Sequence, residues 1–215
     1  MEASDSSLLV CFTEPEDPAP TDEQRRAVRG LLRRLDASPL SGIVDLSPGD
    51  GSLLVRFDPD RLDPDAVAAH IDTLLEARDV RPEPTPRLVT IPVRYGGEAG
   101  PDLEDVARRT GLEPRQVIER HAGAVYQVRF LGFTPGFAYL GPLDPSLVCP
   151  RLESPRRSVP AGSVAIAADQ TAVYPASTPG GWRLIGRTGA VLFDPARDPM
   201  SLLAIGDRVR FEPLR

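Results

Sequence analysis

The chain changes its hydrophobic rhythm near residue 85. Before that point, Leu8-Leu-Val-Cys-Phe12 is a short apolar run between polar segments, the pattern of a buried strand. Val28, Leu31, Leu32 and Leu35 then recur at helical spacing behind Thr21, with Gln24 three residues on, which predicts an amphipathic helix opened by a capping box. Pro39 and Gly42 end it. Ile43–Leu46 and Ser52–Phe57 read as strands joined by the turn Ser47-Pro-Gly-Asp-Gly51. A second helix starts at Asp63 with Pro64 in its first turn and carries Val67, Ile71, Leu74 and Leu75. Strand, helix, strand, strand, helix is most of a ferredoxin-like split β-α-β unit, one strand short. His70 falls at the edge of the second helix's apolar face, a structural or solvent-facing position.

Arg81-Pro-Glu-Pro-Thr-Pro86 is extended and semi-rigid, and marks a boundary between a domain of residues 1–84 and one of residues 85–215. Leu88–Tyr95 is a strand that either finishes the first sheet or opens the second. Asp102 is expected to cap a helix stopping at Gly111, and Pro114 opens another ending near His121 and Gly123. The pair has the outline of a helix-turn-helix, but its arginines are offset by Glu113 and Glu119, so a plain helical hairpin is the better reading. From Ala124 the pattern is β. Tyr126, Val128 and Phe130 alternate with polar residues, 164–167 and 171–174 flank a tight turn, and 182–185, 190–193 and 208–211 are further short strands. Short strands with Gly-Pro corners predict a closed or nearly closed barrel.

Composition narrows the chemistry. All 25 basic residues are arginine, since the chain contains no lysine, and the phosphate-binding loop and Schiff-base mechanisms that need lysine are excluded within it. Two histidines do not make a multi-histidine metal site. A net charge of −6 argues against nucleic acid, and no apolar run is long enough to span a membrane. With no signal-like N-terminus and only Cys11 and Cys149, both expected as buried thiols, the chain reads as cytoplasmic.

The residues that an ordinary core does not require lie between Phe130 and Thr188. Phe130-Leu-Gly-Phe-Thr-Pro-Gly-Phe-Ala-Tyr-Leu-Gly141, Ser158-Val-Pro-Ala-Gly-Ser163 and Tyr174-Pro-Ala-Ser-Thr-Pro-Gly-Gly-Trp182 describe rigid loops carrying large side chains. They are either barrel corners alone or corners that also build a pocket or partner surface. No Gly-x-Ser-x-Gly elbow surrounds Ser163, whose hydroxyl is expected to bond its own turn. Gly96-Gly97 and Gly180-Gly181 offer only a weak anion-binding signal. Arg151, Arg156, Arg157, Arg183 and Arg187 are forks suited to carboxylate or phosphate, or solvated surface residues. His121 is either a buried hydrogen-bonding histidine or an acid-base group at a pocket mouth; the end of a helix favours its charged form.

Pro92-Val-Arg-Tyr-Gly-Gly97, Gly100-Pro-Asp-Leu-Glu-Asp-Val106, Leu131-Gly-Phe-Thr-Pro-Gly-Phe137, Ser158-Val-Pro-Ala-Gly-Ser-Val164, Pro179-Gly-Gly-Trp182 and Ile185-Gly-Arg-Thr188 resemble the KipI, or allophanate hydrolase subunit 1, family, and most closely its 5-oxoprolinase branch. Thr134 stands where an aliphatic residue is expected. The resemblance implies an α+β N-terminal domain and a cyclophilin-like β-barrel domain. It implies a non-autonomous component, inactive alone, that acts with a KipA-like C component and an A component to hydrolyse 5-oxoproline to glutamate, with ATP bound in the assembled complex. Inhibition of a sensor histidine kinase, or a part in urea or allophanate metabolism, are the alternatives it leaves. It assigns no catalytic residue and no metal. His121, Phe133, Phe137, Arg157, Ser163, Gln170, Trp182 and Arg187 are the residues expected to line the groove, and Phe133, Phe137 and Trp182 equally suit a partner interface.

Overall fold

The computed structural model describes residues 2–14, 19–77 and 85–214. The chain divides into two compact units, Met1–Pro84 and Thr85–Arg215, each with its own apolar core. Residues 81–84 of the proline-alternating segment lie outside the described residues.

The first unit contains β1 (Glu2–Ser4), β2 (Ser7–Cys11), α1 (Asp22–Ala37), β3 (Ile43–Pro48), β4 (Ser52–Phe57) and α2 (Pro64–Glu76). At the start of α1 the Gln24 N–H donates to the Thr21 hydroxyl at 3.2 Å, and the Thr21 N–H donates to the Gln24 side chain at 2.7 Å. Two otherwise orphaned donors are satisfied in this way. Val28, Leu31 and Leu35 face Leu53, Val55, Phe57, Val67 and Ile71 in one core, each fully buried side chain contributing about 1.5–3 kcal/mol. At α2 the Asp65 N–H donates to Asp63 at 2.8 Å.

The sheet order is β1-β2-β4-β3, antiparallel throughout. The fourth strand of this sheet is β1, at the N-terminal end, and among the described residues no strand after α2 joins it. Three residues with a single apolar member carry no alternation to announce a strand. His70 is half-buried, with Nε2 3.1 Å from the Ser38 carbonyl. Cys11 corrects the expectation of a buried thiol: it alternates with buried Leu8 and Val10 and ends β2 exposed, whereas Cys149 is buried.

The second unit contains β5 (Leu88–Tyr95), α3 (Leu103–Thr110), α4 (Pro114–Gly123), β6 (Val125–Leu131), β7 (Ala138–Gly141), β8 (Arg156–Val159), β9 (Ser163–Ala167), β10 (Gln170–Val173), β11 (Thr178–Gly180), β12 (Arg183–Arg187) and β13 (Arg208–Pro213). Seven strands close a mixed barrel in the order β10-β7-β6-β13-β5-β12-β9, while β8 and β11 form a separate two-stranded ribbon. β5 belongs to this barrel, where β13 pairs parallel with it and antiparallel with β6. The interior is filled by Ile91, Val93, Tyr126, Val128, Ile166 and Phe211, among others. α3 packs on β12 and α4 on β13. Gly111 ends α3 at φ +68°, in the left-handed region that glycine enters without a Cβ penalty.

Three local expectations are corrected. Residues 190–193 are not a strand and make only an isolated bridge from Phe193 to Ser201. Asp102 stands at the start of α3 without capping it; its carboxylate instead accepts the Leu184 N–H and an Arg156 N–H, both at 2.6 Å, and joins the helix to β12 and β8. Arg129, placed on a polar strand face by alternation, is buried at a register shift between β6 and β7 and pairs with Asp169 at 2.7 Å.

Candidate functional site

Alternation along β9 and β10 sorts the motif residues. Val164, Ile166 and Val173 point into the barrel, while Ala165, Ala167, Ala172 and Tyr174 belong to a second apolar cluster on the outside. Ser163 and Gln170 share that outer face by the same period. The alanines form a low floor, and Phe137, Tyr139, Trp182, Leu184 and Val159 of the β8–β11 ribbon pack over it. Successive rings meet edge to face: Phe137 lies 5.2 Å from Tyr174 and 5.8 Å from Trp182, and Phe133 lies 5.4 Å from Phe137. Gly180 is required where it stands, because a Cβ there would collide with the Tyr174 hydroxyl. Burial raises the pKa of that hydroxyl.

Phe133 is the exposed end of this ridge. It is 59 % exposed and has φ +67°, a backbone conformation that bulky residues rarely hold. The loop around it is tight, with Gly132 N–H donating to the Phe137 carbonyl at 3.1 Å and Phe137 N–H to the Thr134 carbonyl at 3.0 Å. Gly136, at φ +79°, passes so close to Phe193 that a Cβ would clash. A strained loop thus presents an aromatic side chain to the outside, a combination found where chains bind other molecules. Thr134 keeps the Gly-Pro-Gly frame, and its hydroxyl oxygen is buried without a hydrogen-bond partner.

At the far end of the cluster the Arg151 guanidinium lies 6.0 Å from the Trp182 ring centroid, at the reach of a cation–π contact. Arg151 also lines a depression of about 570 Å³ with Asp105, Arg109, Glu153, Ser154 and Arg183. Arg183 is only 4 % exposed; it bonds the Pro150 carbonyl at 3.0 Å and pairs with Asp105, which also pairs with Arg108 and Arg109. The hydrogen bond from Arg109, with Arg183 adding its charge, holds the Asp105 carboxyl below the ordinary carboxylate range. Asp105 and Arg109 were not singled out in the sequence. Their signal is the spacing of Asp105 from Arg108 and Arg109, three and four residues on along one helix.

The expected groove residues therefore separate. Phe133, Phe137 and Trp182 come together, and Gln170, half-buried, shares their side of the sheet. Arg157 is exposed on β8. Ser163 is buried, its hydroxyl donating to the Pro160 carbonyl at 2.7 Å, the turn bond expected from its setting. Arg187 lies directly opposite Ser163 across β12 and β9, beside Arg94 and Gly96, with Nε 3.2 Å from the Ala161 carbonyl.

His121 is inside the barrel with no exposed surface, stacked on Phe211 at 4.7 Å, and lines no groove. Burial pushes its pKa down to about 3. The helix end that favours the imidazolium is outweighed by the loss of water. Among the described residues this outer face brings no histidine to the Ser163 hydroxyl, and no group of three or more histidine, cysteine, aspartate or glutamate side chains is placed to hold a metal. The arrangement is suited to holding a partner molecule by aromatic contact and arginine charge.

Residues 1–203 match the family model described as carboxyltransferase domain, subdomain C and D, and the chain belongs to this family. It is 46 % identical over 201 residues to the 5-oxoprolinase B subunit of Escherichia coli O157:H7, a match covering 93 % of this chain and 90 % of that one. With the 5-oxoprolinase B subunit of Bacillus subtilis (strain 168) the identity is 39 % over 222 residues, covering 98 % and 90 %. The resemblance read from the motifs is borne out by these relatives. The crystal structure of TTHA0988 matches with a TM-score of 0.84 at 37 % identity over 97 % of this chain. This chain spans only 40 % of that longer one. The urea carboxylase of Kluyveromyces lactis matches with a TM-score of 0.77 at 21 % identity, over 100 % of this chain and 21 % of that one, a likeness of fold alone. No helix among the described residues is long and apolar enough to cross a membrane.

Proposed function

We propose that this chain is the B component of a 5-oxoprolinase, which adds water across the lactam bond of 5-oxo-L-proline to give L-glutamate with hydrolysis of ATP. The observation that carries the reading is the 46 % identity to a protein of that name along nearly the whole of both chains. The chain works with a KipA-like C component and an A component, is inactive alone, and leaves ATP to the assembled complex, since it has no lysine for a phosphate-binding loop. The absence of a nucleophile–base pair on the outer face of the described barrel agrees with a site completed by another polypeptide.

In this reading Phe133, Phe137 and Trp182 meet the C component, and Gln170, Ser163 and Arg157 border that contact. Residues 1–84 and 85–215 are its two domains, and its place is the cytoplasm. The first is a ferredoxin-like variant in which β2 and β3 flank β4 and β1 takes the edge position; the second is a cyclophilin-like barrel.

The test is reconstitution. The purified chain is mixed with its candidate A and C components, and glutamate formed from 5-oxoproline and ATP is measured with each one left out in turn. Activity is expected with all three and from no smaller set. Equal glutamate production without this chain refutes the reading.

A further inference from the structure

The register between β5 and β12 sets Arg187 directly opposite Arg94. Both side chains are exposed on the outside of the barrel. Opposed residues in an antiparallel pair stand about 5 Å apart at Cβ, and like charges placed there repel. Among the described residues neither arginine has a carboxylate partner; Arg187 bonds only the Ala161 carbonyl. Two exposed guanidiniums on one strand pair, with no carboxylate paired to them, are free to take an acceptor that is not part of the fold.

The strand β5 leads directly into Gly96 and Gly97, at φ +69° and +54°. Consecutive residues of this hand form a turn that exposes backbone N–H groups, an arrangement that favours anions. The Gly96 N–H is used on the Ile185 carbonyl at 3.1 Å. The Gly97 N–H has no acceptor among the described residues, and Gly97 is exposed. These groups line one depression of about 660 Å³, with Arg94, Gly96, Gly97, Glu98, Arg187 and Thr188 around it. Glu98 opposes an anion, so two positive side chains face one negative and the corner stays positive overall.

From this convergence we infer that the Arg94–Arg187 corner binds a phosphate group, free or at the end of a small ester. Its tetrahedral oxygens match two guanidinium forks and a backbone N–H, and its double charge relieves the repulsion across the strand pair more fully than a carboxylate does. None of Phe133, Phe137, Tyr174 and Trp182 lines this depression. The inference stands whether or not the chain is part of a 5-oxoprolinase.

Inorganic phosphate is titrated into the isotope-labelled full chain at constant ionic strength, following the amide resonances of Gly96 and Gly97. Acetate and methyl phosphate are titrated in parallel. Saturable shifts at these two amides are expected with phosphate and methyl phosphate. Acetate should give binding at least about tenfold weaker, the order of one charge-assisted hydrogen bond. Arg94→Gln and Arg187→Gln should each weaken phosphate binding by a similar factor while the rest of the spectrum stays that of the folded protein. Methyl phosphate binding as tightly as phosphate assigns the site to an ester terminus, and weaker binding assigns it to the free anion. Absent saturation, shifts that persist in the double variant, or acetate binding as tightly as phosphate overturns the inference.

Discussion

The hydrogen bond between His121 and Thr171 has a fixed direction. Thr171 gives its one hydroxyl proton to the Ala165 carbonyl at 3.0 Å, so the His121 Nε2–H, 2.8 Å away, donates to the Thr171 oxygen. Nδ1 is then the bare nitrogen and accepts from the Tyr95 hydroxyl at 2.7 Å. The imidazole is neutral, fully bonded and sealed between α4 and the barrel strands; protonating it would leave two donors facing each other at Tyr95.

Stability should therefore depend on His121 below neutral pH. Its folded pKa of about 3 lies below the value of about 6.5 for the unfolded chain. Between these values the unfolded chain takes up a proton that the folded one refuses. The contribution is fully present above about pH 6.5 and is lost as pH falls towards 3, at up to about 1.4 kcal/mol per pH unit. Denaturant unfolding at pH 4.5 and pH 7 should show a larger loss for the native chain than for His121→Gln. Equal losses would mean that the ring is not held neutral.

Removing Asp105 should destabilise the chain more than its half-exposed helix suggests. Asp105→Ala leaves Arg183 buried without its carboxylate, a change worth about 3 kcal/mol or more. Asp105→Ala combined with Arg183→Met should recover much of that loss. A single variant as stable as the native chain would show that water already reaches Arg183.

Gly100 is fixed by a close approach of two backbones. A Cβ there would land on the Ile185 carbonyl and the Gly186 nitrogen, neither of which can rotate away. Gly100→Ala is expected to cost about 2 kcal/mol or more, read as a lower denaturation midpoint. An unchanged midpoint would show that β12 can move off the turn.

Phe133 separates stability from function. Its left-handed backbone costs about 1–2 kcal/mol, and its ring is mostly exposed. Phe133→Gly should leave the denaturation midpoint unchanged or raised, while lowering the activity of the reconstituted complex about tenfold or more, as loss of an aromatic anchor does. The opposite pattern, lower stability with full activity, would make the ring a packing element.

The first unit was legible wherever a local signal existed. Thr21 with Gln24 and Asp63 with Pro64 start both helices as their sequences require, because capping depends on neighbours a few residues away. The edge strand β1 and the short strands β7, β8 and β11 had no such signal; they are held by partners distant in the chain. The gathering of Phe133, Phe137 and Trp182 was legible as a local richness in aromatic residues. The facing of Arg94 and Arg187 was not, since it depends on the register of two strands some ninety positions apart. Asp102 carried a misleading signal: a good capping residue by type, it is drawn across to Leu184 and Arg156 because a buried N–H there needs an acceptor.

The parallel seam between β5 and β13 has a consequence for the order of assembly on the ribosome. The first unit has its whole sheet and both helices once residue 77 has emerged, and can fold while synthesis continues. The barrel's first strand must wait, through the making of more than a hundred further residues, for Val209 and Phe211 to fill the gap beside it. During that interval Ile91 and Val93 have no lasting cover, and a nascent chain stalled before residue 208 should be a substrate for chaperones and proteases.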